Sequence, residues 1–131
     1  MMSTAKNASY HILRVGTAIT FLWIGVLILK EPALWGAYIQ SWAADFMPFS
    51  ASKIMLTTAL LDLFIGALLL IDYKTWLAGA LGSLHLALVM TVSGINAITV
   101  RDIGLLAATL ALLVSSLPPD YLKKLKNLKK R

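Results

Sequence analysis

The 131-residue chain has no cysteine. That removes disulfides, thiol redox chemistry, iron–sulfur clusters on cysteine and c-type haem attachment together. Any electron chemistry here needs a bound quinone, a flavin or a partner subunit. Charge is scarce as well. Asp, Glu, Lys and Arg make up 14% of the residues, against about 25% in a soluble domain, too few to cover a water-exposed surface. No hydrolase triad, P-loop, nucleotide fingerprint or zinc motif is present. The two histidines, His11 and His85, lie far apart in the sequence, so no metal site is expected. Aromatic and basic residues do not interleave in the way that stacks bases, so nucleic acid is not an expected partner.

What fills the chain is apolar: 59% of the residues are hydrophobic. They fall into four runs, and helices are expected over about 10–29, 54–71, 75–96 and 102–117. The first run carries Arg14 one turn inside its start. The second holds one acid, Asp62. The third, extending apolar to Val100, has no Asp, Glu, Lys or Arg. The fourth is short and stops at Pro118 and Pro119. A helix needs about 17–25 residues to span a bilayer. The segment TWLAGALGSLHLALVMTVSGI shows no polar face of the kind a soluble helix presents. In lipid the backbone must satisfy itself within each segment, which selects helices. The expectation is one domain over 1–131, all-α, a four-helix transmembrane bundle. Small residues in the runs (Gly66, Gly79, Gly82, Ser83, Gly94) suit close helix packing in a membrane. The first run also has the outline of a signal peptide. Lys30, Glu31 and Pro32 follow it without a small-residue cleavage site, which favours an uncleaved anchor.

The flanks set the orientation. Lys6, Arg14, Lys74 and the tail lie on one side, Lys30, Lys53 and Arg101 on the other. By the excess of Lys and Arg, both termini are expected to be cytoplasmic in a multi-pass cell-membrane protein. The tail over 120–131 carries six of the twelve basic residues, with Leu122, Leu125 and Leu128 spaced between them. Anionic lipid headgroups are its expected partner, an acidic protein the alternative. In the long loop before the second run, Trp35, Tyr38, Ile39, Trp42 and Phe46 recur at helical spacing. This predicts an interfacial amphipathic helix over 33–47, serving either as an aromatic anchor or as a lid over the bundle mouth.

Ionisable side chains at bilayer depth cost about 2.5–3.5 kcal/mol each on insertion scales, so each needs a partner or a task. Asp62 and His85 are the two deepest. Asp72-Tyr73-Lys74 is a short turn, which makes their helices antiparallel neighbours and puts both residues at similar depth. A contact between them is geometrically reasonable. It reads either as a structural pair that locks helix register or as a proton-handling, quinone-contacting pair. Arg14 either snorkels to the headgroups or turns inward toward an acid or ligand. Arg101 and Asp102 open the fourth helix, where an acid suits the helix dipole; Arg101 is placed to reach Glu31 or Asp45. Trp23 and Asn96 are further residues that can face the bundle.

The stretch LRVGTAITFLWIGVLILK, with Arg14, Gly16, Phe21, Gly25 and Lys30, resembles the opening helix of the DoxX-like family of small membrane proteins. TALLDLFIGALLLI, with Asp62 where the family often has Glu and Gly66 following, is similar to its second helix. RDIGLLAATLALL is similar to the start of its last helix. The resemblance covers nearly all of 10–117. It implies a four-helix membrane bundle, in some members similar to the membrane subunit of thiosulfate:quinone oxidoreductase. It makes Arg14, Asp62, Arg101 and Asp102 the positions of interest; His85 has no counterpart in the resemblance, and the lack of cysteine argues against direct thiol chemistry. Two functions follow as expectations. One is a quinone-linked redox protein, with Asp62 and His85 exchanging protons and Arg14, Trp23, Arg101 and Asp102 around the ligand. The other is a non-catalytic accessory subunit packed against other membrane subunits of a larger oxidoreductase. A small-solute or proton carrier is the weakest reading, because four helices without an internal repeat make a poor alternating-access machine.

Overall fold

The structure, a computed structural model, describes residues 4–131, with side chains from residue 7 onward. Lys6, counted above toward orientation, falls outside the described side chains. The described chain is all helix and turn, without strands. In order the elements are α1 (Thr4–Lys30), α2 (Pro32–Gly36), α3 (Ser41–Phe46), α4 (Ala51–Leu70), α5 (Thr75–Ser93), α6 (Val100–Ser116) and α7 (Pro119–Lys129). Three helices are long and apolar enough to cross a membrane: Asn7–Lys30, Ala51–Leu70 and Thr75–Ser93. A fourth crossing is reached when α6 and α7 count as one span, although they meet at 97°. Such a chain is compatible with a multi-pass membrane protein.

Two expected elements come out differently. The single helix over 33–47 is broken into α2 and α3. Pro32 starts α2, where its missing N–H costs nothing. The chain then turns, and Gln40 adopts an extended conformation that sends its N–H to the Val92 carbonyl at 2.9 Å. The aromatic stripe is therefore shared between two short helices. The third long helix ends at Ser93 instead of 96, because Gly94 takes φ +69°, in the left-handed region open to glycine. Asn96 then folds the connection: its Oδ1 accepts from the Ile98 and Thr99 N–H groups at 2.8 and 3.0 Å, and Thr99 Oγ1 donates back to Gly94 O. Asn96 is thus a turn-forming residue just before α6.

The long helices pack as two close pairs. In the first, Leu63 lies over Gly25 and Leu22 over Gly66, so α1 and α4 approach reciprocally. In the second, a Cβ on Gly79 would come within 2.8 Å of the Thr109 carbonyl, and Ser83 Oγ donates to Thr109 Oγ1 at 2.9 Å. A core of Ala18, Phe21, Ile65, Leu69, Ala78, Leu86 and Leu112 joins the pairs. It fills the half of the molecule near the 72–74 turn and leaves the other half less densely packed.

Candidate functional site

A cavity of about 680 Å³ occupies that other half, between the two pairs. Its walls are mainly apolar, from α1, α4, α5 and α6. Asp62 and His85 lie on its wall at mid-depth, near Phe21 and Leu86. The two touch: His85 Nε2 stands 3.1 Å from Asp62 Oδ1, and Asp62 is only 4% exposed. The four-residue spacing of Thr58 and Asp62 puts both on the cavity face of α4. Arg101, Asp102 and Thr99 line the cavity where α6 begins. Trp35, Tyr38, Ile39 and Met47, from the α2–α3 segment, close it from above. Trp42 and Phe46 of the same segment stay exposed. Among the described residues, no three His, Cys, Asp or Glu side chains come together to share a metal ion.

Five of the six residues singled out in the sequence, Trp23, Asp62, His85, Arg101 and Asp102, meet at this one cavity. Arg14 does not. It is 8% exposed and sits at the opposite end. Its Nη1 donates to the carbonyls of Leu69 and Leu70 at 2.6 and 2.8 Å, and its Nη2 contacts His11 Nδ1 at 3.1 Å. The last carbonyls of a helix have no partner within it, and Arg14 of α1 caps those of α4. It does not snorkel to the surface; it turns inward toward an acid, Asp72, away from the cavity. Its Nε is buried without a hydrogen bond, 3.7 Å from Asp72 Oδ1. Arg101 also departs from expectation. Among the described residues it forms no ion pair with Glu31 or Asp45; its Nε donates to the carbonyl of Ile98, in the turn that precedes α6, at 3.4 Å.

The cluster around Arg14 was not legible from composition. Asp72, with φ 54°, turns its carboxylate back into the structure, where Tyr10 and Thr75 donate to Oδ1 at 2.8 and 2.7 Å. Partial burial pushes the Asp72 carboxyl up. The hydrogen bonds from Thr75 and Tyr10 and the charge of Arg14 outweigh it, so the group titrates below the ordinary carboxylate range. The available signal was an arginine one turn inside an apolar run, facing an acid in a turn.

Chemically, the cavity offers an imidazole–carboxylate pair in apolar surroundings. Such a pair can hold or pass a proton without leaving a lone charge in low dielectric. The rim adds a guanidinium and a second carboxylate. No protein-family model matches the chain, and neither a curated protein nor a solved structure is significantly similar to it.

Proposed function

We propose that the chain is a DoxX-like four-helix transmembrane bundle that binds a quinone in its cavity, as part of a quinone-linked redox system. The observation that carries this reading is the Asp62–His85 pair at 3.1 Å in the wall of an apolar cavity. Reducing a quinone to a quinol takes two electrons and two protons. A chain without cysteine has no thiol to supply the electrons, so they come from a partner subunit. Protons must arrive inside a dry site, and intramembrane ionisable residues can deliver them. Arg101 and Asp102 at the rim are placed to orient a polar head. The test is quinone binding and quinone reduction by the partner-reconstituted protein. Asp62→Asn and His85→Ala are expected to impair both; the reading is sunk if both variants leave them unchanged.

The proposed orientation puts the 72–74 turn and both termini in the cytoplasm. Counting Lys and Arg alone, the opposite end has Lys30, Lys53 and Arg101, whereas the turn end has Arg14, Lys74 and six tail residues. In this orientation α7, at 97° to α6 and with Tyr121 against Trp76 at 5.7 Å, lies along the inner surface. Its exposed Leu122, Leu125 and Leu128 meet the lipid, and its lysines meet anionic headgroups. The segment of α2 and α3 lies at the outer interface. A non-catalytic accessory subunit is the second reading, favoured by the same lack of an electron-carrying side chain. A lone monodisperse species that binds quinone, and loses that binding in Asp62→Asn, would exclude it.

A further inference from the structure

The four seams between the long helices are not alike. Glycine-to-leucine packing closes α1 against α4, and the Ser83–Thr109 hydrogen bond together with Gly79 closes α5 against α6. The Asp62–His85 contact clasps α4 to α5. Between residues 16–30 of α1 and α6 there is no hydrogen bond or ion pair among the described residues: Thr17 and Thr20 donate to carbonyls of their own helix, Leu13 and Gly16. At this seam Ile19 and Trp23 line the cavity and yet are 50% and 67% exposed. A side chain can do both only where the cavity wall opens onto the outer surface of the helices. The end of the cavity differs in being fastened: Trp35 and Tyr38 lie over it, Tyr38 itself 40% exposed, and they are held by the Gln40 N–H on Val92 and by Gly36 set against Ala51. Leu88 is exposed at the α4–α5 seam, but that seam carries the Asp62–His85 contact.

We propose that the cavity is loaded sideways from the bilayer, through the α1–α6 seam, by an amphiphile with a hydrogen-bonding ring head and one long apolar chain. The head reaches the donors and acceptors of His85 and Asp62. The chain stays in the seam beside Ile19 and Trp23, against lipid. A volume of about 680 Å³ takes a ring and the first part of a tail, within the roughly 300–1,000 Å³ usual for small-molecule sites. Water has to pass the aromatic roof to reach the same place. The route rests on the quinone reading only for the choice of natural ligand.

A chain without cysteine makes the test background-free. Thr20→Cys puts a single thiol on the cavity wall. In proteoliposomes, a lipid-dissolved alkyl maleimide is expected to label it about tenfold faster than a charged, membrane-impermeant maleimide supplied on both sides. Equal rates, or the reverse order, overturn the route. Ile19→Trp, which broadens an exposed side chain over the seam, is expected to slow the alkyl reagent and leave the charged one as slow as before. An unchanged alkyl rate overturns the choice of this seam. Should Thr20→Cys fail to fold, Leu105→Cys on the facing helix carries the same comparison. A long-tailed quinone is expected to protect the Thr20→Cys thiol. Absence of protection refutes the quinone reading, while the order of the two maleimide rates still decides the route.

Discussion

Two arginines stand near aspartates at opposite ends of this molecule, and they are used in opposite ways. Arg14 is buried, caps two carbonyls of α4 and faces Asp72, which is itself held by Tyr10 and Thr75. Arg101 is exposed beside Asp102 and its side chain makes one long bond, to the Ile98 carbonyl in the turn before α6. The first set is nearly satisfied within the protein and has little capacity left for a ligand. The second has donors and acceptors to spare, and they border a cavity. Residue type alone does not separate these roles; saturation of hydrogen bonds does.

Removing Arg14 is the strongest way to break the comparison. Arg14→Ala removes the side-chain donors from the Leu69 and Leu70 carbonyls and the cation facing Asp72, and is expected to cost about 3 kcal/mol in an SDS unfolding titration in mild detergent. A loss no larger than that of a surface substitution would make the two ends equivalent. Next comes the close packing between α5 and α6. Gly79→Ala pushes a Cβ against the Thr109 carbonyl and the Leu113 backbone, which cannot move aside as a side-chain end can. It is expected to cost about 2 kcal/mol. Gly16→Ala, with nothing within 4 Å, is expected to stabilise slightly, by about 0.5 kcal/mol. The third effect is smaller. Because folding lowers the Asp72 pKa, its ionised form contributes stability that is fully present above the ordinary carboxylate value and lost as pH falls through the folded value. The window is acid, below about pH 4. With the Asp72 side chain 38% exposed, solvent screening keeps the contribution under about 1 kcal/mol. Asp72→Asn is expected to flatten that part of the pH–stability curve; an identical slope in the variant would show that another carboxylate causes it. Smallest of all is Arg101→Gln, expected to leave stability within about 0.5 kcal/mol while weakening binding of a quinone probe about tenfold. A clear stability loss there would put Arg101 in the same class as Arg14.

Much of the architecture could be read from residue patterns. The apolar runs marked the long helices to within a few residues, because a long apolar helix leaves a signal in every residue. Counting outward from a short turn put Asp62 and His85 at similar depth and made their contact reasonable without fixing it. What escaped were features set by single backbone choices. The split of the aromatic segment depends on an extended Gln40 finding the Val92 carbonyl, and the early end of α5 depends on Gly94 turning left-handed. Neither leaves a periodic trace. Arg14 was read only in part: its turn inward toward an acid, here Asp72, was one of the two expected alternatives, but its carbonyl partners were not foreseen. Its partners are main-chain carbonyls, which every residue has, so no sequence pattern announces them. The cavity was foreseen only as a bundle mouth that a lid could cover; its open side depends on which seams are clasped.

The corner at Pro118 and Pro119 has a consequence for the surrounding lipid. It ends α6 after 17 residues, about 26 Å of helix, where the hydrocarbon slab is about 30 Å thick. The helix cannot lengthen, since the chain leaves at 97°. If α6 crosses as in the proposed bundle, it falls about 4 Å short even when upright, and the acyl chains beside it must shorten. Membrane thickness would then be a variable to which the proposed bundle is sensitive. The thinnest ring of lipid would border the same helix that forms one side of the open seam.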